Sequence, residues 1–181
     1  MKVTATKLAG VVIIEPDVFG DERGFFLESY HEEKYQTEVG IEDRFVQDNH
    51  SRSSKGVLRG LHFQKTKPQG KLVRVTDGEV FDVAVDINPT SQTFKQWVGV
   101  TLSGTNHTQF YVPPGYAHGF LVLSDSADFQ YKCTEFYYPE DDAGVIWNDS
   151  EIGIEWPMDI EPLVSAKDAK LPTVAEYTKG A

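Results

Sequence analysis

Glu79-Val80-Phe81-Asp82-Val83-Ala84-Val85-Asp86-Ile87 decides the fold class. Phe81, Val83, Val85 and Ile87 fall on one face, and Val80, Asp82, Ala84 and Asp86 on the other. This period of two is that of a β-strand, in which successive Cβ atoms point to opposite sides of the pleat. The second face is too polar for core and not charged enough for plain surface. Small and polar residues of this kind line the cavity of a jelly roll or small barrel. From this strand alone, an outward, solvated face is an equal reading.

The same alternation continues outward. Trp97 to Leu102 sets Val98, Val100 and Leu102 against Trp97, Gly99 and Thr101. Leu72 to Thr76, Gln109 to Val112, Gly119 to Leu123 and Asp128 to Tyr138 are further expected strands, as is the apolar run Leu8 to Ile14. Turn residues separate them at Thr76-Asp77-Gly78, Asn88-Pro89-Thr90, Ser103-Gly104-Thr105-Asn106, Pro113-Pro114-Gly115 and Ser124-Asp125-Ser126. Many short strands at this spacing make a sandwich or closed barrel. Helical patterning is confined to Tyr30 to Val39 and the region from Ser165 onward. No repeat or linker divides the chain, so residues 1–181 are expected to form a single domain.

A net charge of −11 argues against nucleic acid and membrane surfaces as partners, since both call for a basic face. It leaves room for an anionic small ligand, because a pocket can gather a few Arg and Lys within an acidic whole. At 40% apolar and 25% charged, the chain is too apolar for disorder. Cys133 is the single cysteine, which excludes an intrachain disulfide and fits a small buried hydrophobe in a reducing compartment. Leu8 to Ile14 is too short to span a bilayer and lacks a cleavage site, so the cytoplasm is the expected location. The glycosylation triplets at Asn49, Asn106 and Asn148 then read as accidental.

Gly56-Val57-Leu58-Arg59-Gly60-Leu61-His62-Phe63-Gln64 is where chemistry enters. In a regular strand, Leu58, Gly60, His62 and Gln64 share one face, and Arg59, Leu61 and Phe63 the other. A lone strand histidine is more often structural than functional. Pro113-Pro114-Gly115-Tyr116-Ala117-His118, a Pro-x-Gly-x-x-His turn entering a strand, resembles the second motif of the cupin superfamily. That resemblance implies a mostly β, double-stranded β-helix (jelly roll) with a few short helices, and His62 and His118 pointing into one barrel. The metal-binding first motif resembles His-x-His followed shortly by Glu. Here Gln64 takes the second His position, and the next acidic residue is Asp77. A divalent ion wants three or four His or carboxylate ligands, so no metal is expected. A barrel histidine without a metal suits proton transfer, since its ordinary pKa is about 6.5. A carboxylate partner would fix its tautomer, but spacing does not choose among 28 acidic residues.

Several segments, in order across nearly the whole chain, resemble the RmlC-type dTDP-4-dehydrorhamnose 3,5-epimerases. They are Asp21 to Phe26, Phe45 to Ser51, Gly56 to Gln64, Val80 to Ile87, Pro113 to Phe120, Tyr131 to Thr134, Trp147 to Asp149 and Ser165 to Asp168. The resemblance implies His62 as general base oriented by Asp168, and Tyr131 as the acid that returns a proton from the opposite ring face. It implies Lys71 as the cation that stabilises an enolate. Arg23 and Arg59 are implied as diphosphate contacts, their forked donors matching phosphate oxygens. Phe26, Glu28, Gln47, Asn49, His118, Asp142 and Lys167 are implied as further substrate contacts, and Tyr137 as the ring that stacks on thymine. Alternation over Asp128 to Tyr138 would put Tyr131 and Tyr137 on one face, which core packing would do equally. Ile146 departs from the family, which often carries Arg or Lys there.

The implied activity is cofactor-free conversion of dTDP-4-dehydro-6-deoxy-glucose to dTDP-4-dehydro-L-rhamnose. A C3- or C5-only epimerase of a related sugar shares the His and Asp and is the alternative. The implied assembly is a homodimer with its N-terminal strand exchanged, in which residues near Phe19 to Phe26 complete the neighbour's nucleotide site. Inversion involves no net oxidation, and the sequence has no Gly-x-Gly-x-x-Gly turn for a nicotinamide.

Overall fold

Alternating apolar residues draw most of the chain into thirteen short strands among the described residues, 1–158 and 161–179, of this computed structural model. They are β1 (Lys2–Ala5), β2 (Val12–Glu15), β3 (Val18–Asp21), β4 (Gly24–Leu27), β5 (Gln47–Ser54), β6 (Leu58–Gln64) and β7 (Lys71–Asp77). Then follow β8 (Glu79–Asp86), β9 (Trp97–Ser103), β10 (Gln109–Val112), β11 (Tyr116–Val122), β12 (Ser126–Cys133) and β13 (Asp142–Gly144). Two antiparallel sheets form, β1-β2-β10-β7-β12-β5 and β13-β6-β11-β8-β9, while β3 and β4 pair alone as a hairpin. The result is the mostly β jelly roll of the cupin pattern. No helix among the described residues is long and apolar enough to cross a membrane.

Both faces of β8 are buried, for different reasons. Val80 and Ala84 pack with Val73, Leu102, Phe110, Phe120 and Phe129 in the core between the sheets. Asp82 is fully buried on the same face. Phe81, Val83, Val85 and Ile87 are covered from outside by Leu61, Phe63 and the C-terminal residues Trp156, Val174 and Tyr177. Asp86 lines none of the main cavities among the described residues. It turns into the following loop and accepts hydrogen bonds from Asn88 N and the hydroxyls of Ser91 and Thr93.

Three expected elements change. Leu8 to Ile14 is not one strand: Val11 N–H bonds back to Leu8 O around Gly10 (φ 74°), and the strand starts at Val12. Tyr30 to Val39 forms one α-turn, Glu32–Lys34, that widens to a π-turn over Tyr35–Val39. The strand from Asp128 ends at Cys133, so Tyr137 lies in a loop and not on a continued face. From Ser165 onward come a 3-10 turn, Asp168–Lys170, and a helix, Val174–Lys179.

β6 is also irregular. His62 pairs with His118 but Arg59 pairs with Phe120, so Gly60 and Leu61 on β6 oppose the single Gly119 on β11. This bulge sits at Gly60, whose φ of 117° is open to glycine and few other residues. Directly paired residues share a face, and Phe120 belongs to the inner core. Arg59 and His62 therefore both face inward, whereas a regular strand would have opposed them.

Candidate active site

Between the sheets lies a cavity of ≈ 300 Å³ lined by Gln47, Asn49, His62, Phe63, Gln64, Gln69, Lys71, Tyr131, Tyr137, Asp142 and Lys167. β5 supplies Gln47 and Asn49, β6 supplies His62, and β7 and β12 supply Lys71 and Tyr131. Cross-strand register sets Tyr131 beside Asn49, and Lys71 beside Cys133, which accepts a bond from Asn49 Nδ2 at 3.5 Å.

His62 Nε2 lies 2.7 Å from Asp168 Oδ1. Asp168 is 4% exposed, and its other oxygen accepts from Gly60 N–H at 3.4 Å while its own N–H donates to Ser165 Oγ at 3.0 Å. Burial pushes the Asp168 carboxyl up, but the bond to His62, its charge and the Gly60 and Ser165 contacts outweigh it and hold the pKa below the ordinary value. An ionised carboxylate only accepts, so His62 Nε2 carries the hydrogen and Nδ1 presents its lone pair.

The Lys71 side chain makes no hydrogen bond or ion pair among the described residues, and Lys71 lines the cavity. Burial pushes its pKa down, opposed by Cys133, Asp82 and Asp142. Tyr131 is half-buried, and burial raises its phenol above the ordinary value, with Cys133 adding and Arg59 opposing. The phenol is thus a protonated donor near neutral pH. An oriented base, an unpaired cation and a phenol in one cavity can remove a proton beside a carbonyl and return another.

Tyr137 joins them from its loop: its N–H donates to Gln47 Oε1 at 2.9 Å and its hydroxyl to Asp142 Oδ2 at 3.2 Å. The Lys167 ammonium also bonds Asp142. Arg59 is exposed and does not line the cavity; its charge reaches Tyr131, and its Nε donates to Ser53 Oγ at 3.1 Å.

Besides Arg59, four residues expected at the site lie outside this cavity within this chain. His118 does not line the cavity; it is 7% exposed and bonds Asp82 Oδ1 at 2.8 Å. The second oxygen of Asp82 is buried and has no partner among the described residues. Burial raises the Asp82 pKa, against the pull of His118 and Lys71. Arg23 pairs with Asp21, Glu28 with Lys34, and Phe26 is 69% exposed on the β3–β4 hairpin. A larger groove of ≈ 390 Å³, lined by Ser29, His50, Arg74, Gln130 and Lys132 among others, holds neither His62 nor Lys71.

Gln69, which also lines the cavity, stands in no recognisable sequence pattern. Gln64, considered only as a missing metal ligand, spends its amide on backbone groups. Among the described residues no three His, Cys, Asp or Glu side chains gather as a metal site.

A profile of the dTDP-4-dehydrorhamnose 3,5-epimerase family matches residues 5–176. The dTDP-4-dehydrorhamnose 3,5-epimerase of Escherichia coli (strain K12) is 55% identical over 180 residues, covering 99% of this chain and 97% of that protein. The crystal structure of a dTDP-6-deoxy-D-glucose-3,5-epimerase from Legionella pneumophila, in complex with dTDP-4-keto-L-rhamnose, superposes with a TM-score of 0.94 at 53% identity. It covers 96% of this chain and 93% of its own. A 3'-monoepimerase from Streptomyces bikiniensis in complex with dTDP-quinovose has a TM-score of 0.91 at 33% identity, covering 96% and 88% of the two chains.

Proposed function

The chain belongs to the dTDP-4-dehydrorhamnose 3,5-epimerase family and is a sugar-nucleotide epimerase, and from that premise we propose that it inverts C3 and C5 of dTDP-4-dehydro-6-deoxy-glucose to give dTDP-4-dehydro-L-rhamnose. The carrying observation is the His62–Asp168 pair in one cavity with Tyr131 and the unpaired Lys71.

The 4-keto group acidifies the hydrogens at C3 and C5. His62 Nδ1 takes one as a proton, and the imidazolium keeps its Nε2–H on Asp168. The electron pair left on carbon moves onto the ketone oxygen, where the Lys71 ammonium stabilises the enolate. Tyr131 then protonates the carbon from the opposite face. His62 releases its proton to solvent and the Tyr131 phenolate regains one, so each inversion brings in a solvent hydrogen. A second round at the other carbon completes the product, with no electrons gained or lost.

Gln47, Asn49, Arg59, Tyr137, Asp142 and Lys167 would hold the nucleotide and sugar. Arg23, Phe26 and Glu28 lie away from their own chain's cavity. The exposed Phe19, Phe25 and Phe26 support a homodimer in which the β3–β4 hairpin reaches the neighbour's cavity. His118 acts behind the cavity wall through Asp82 and not by touching substrate. The fully buried, unpaired Cys133 supports a cytoplasmic location. Inversion at both carbons is favoured over the one-carbon alternative because the relatives more than half identical are 3,5-epimerases, whereas the monoepimerase is 33% identical.

The test is His62→Asn in deuterium oxide. Exchange at both carbons should disappear while dTDP affinity stays within about threefold. Full epimerisation by this variant would overturn the assignment.

A further inference from the structure

Gln64 stands where the metal-binding cupin pattern has its second histidine, yet its side chain serves two loops. It is 4% exposed. Its Nε2 donates to Lys67 O at 2.7 Å and Phe136 O at 3.1 Å, and its Oε1 accepts from Tyr138 N–H at 2.8 Å. One amide thus joins the β6–β7 loop to backbone groups on both sides of Tyr137. Gln69 Nε2 donates to Glu135 O at 2.8 Å, and Asp141 accepts from the amides of Thr66 and Lys67, extending the same seam. The Tyr137 side chain makes one bond of its own, at 3.2 Å to Asp142. Its ring is therefore placed chiefly by the backbone that Gln64 and Gln47 hold.

We propose that Gln64 is a positioning residue that fixes the Tyr137 loop and thereby sets affinity for the nucleotide base without entering the proton chemistry. This rests on the reading of Tyr137 as the base-stacking ring. The residue type follows from the three bonds. Glutamate has no N–H and would aim an oxygen at two carbonyls, and an imidazole has one nitrogen too few for three partners.

The experiment is Gln64→Leu, of similar volume, assayed by dTDP titration calorimetry and by deuterium exchange into the keto-sugar. Kd and KM should rise about tenfold while kcat stays within about threefold, because the loss is of ground-state placement. Tyr137→Ala should raise Kd similarly, and the double variant should be no weaker than the worse single one. Wild-type Kd and KM, a fall in kcat at unchanged Kd, or additive losses would each overturn the proposal. If Gln64→Leu fails to fold by circular dichroism, Gln64→Glu must show the same split, and wild-type KM in that variant overturns it. If the wild-type chain neither binds dTDP nor exchanges hydrogen, the epimerase reading fails on its own. The seam is then judged by amide exchange: Tyr138 N–H must lose protection in the variant, and retained protection refutes the role.

Discussion

In the proposed mechanism Asp168 both orients His62 and stabilises its charged form, and one substitution removes both. Asp168→Asn keeps the shape but loses the charge that stabilises imidazolium and fixes Nε2–H. We expect kcat to fall by about 10²–10⁴ with dTDP affinity little changed, read by exchange kinetics and calorimetry. Lys71→Met keeps an unbranched side chain one atom shorter but removes the cation, and should lower the exchange rate at both carbons by about 10²–10³. Asp168 also links stability to pH. Its folded-state pKa lies below the ordinary carboxylate value. It therefore contributes stability that is present above the unfolded pKa of about 3.9 and lost as pH falls through the folded value. Melting temperatures measured from pH 7 downward should drop in that acid window, and the drop should be smaller in Asp168→Asn.

At the scale of elements, the β6–β11 bulge is what gathers Arg59 and His62 on one face. A Cβ on Gly119 would lie 2.7 Å from Arg59 O and 3.1 Å from Leu61 Cδ2, so the strands must part to admit it. Gly119→Ala should cost about 1–3 kcal/mol in urea unfolding, and should lower kcat as well because His62 moves with β6. This bulge was not legible in the sequence, since periodicity assumes an unbroken pleat. β8 and β9 were legible because alternation marks them clearly. β5 was missed as a strand: Gln47 to Ser54 is polar on both faces, one lining the cavity and the other meeting solvent. Tyr137 lines the cavity from a loop held by Gln47 and Gln64, and not from a continued strand face. The His62–Asp168 pair spans 106 residues, a separation no local pattern can bridge. The family resemblance named that partnership, and the fold gives it a geometry.

At the scale of the whole molecule, the exposed β3–β4 hairpin makes a prediction about chains in combination. If the hairpin serves the neighbour, a dimer of one Arg23→Ala chain and one His62→Asn chain contains one intact site. Mixing and re-equilibrating the two variants should restore up to about a quarter of wild-type activity, and hairpins that serve their own chain would restore none. Whatever the assembly, the proposed mechanism has side chains of this one cavity move protons at both carbons flanking the ketone. The most direct test is proton NMR of dTDP-4-dehydro-6-deoxy-glucose with the chelator-dialysed protein in deuterium oxide. Deuterium is expected at both C3 and C5, with conversion to the L-rhamnose configuration. Exchange at one carbon, or at neither, would contradict it.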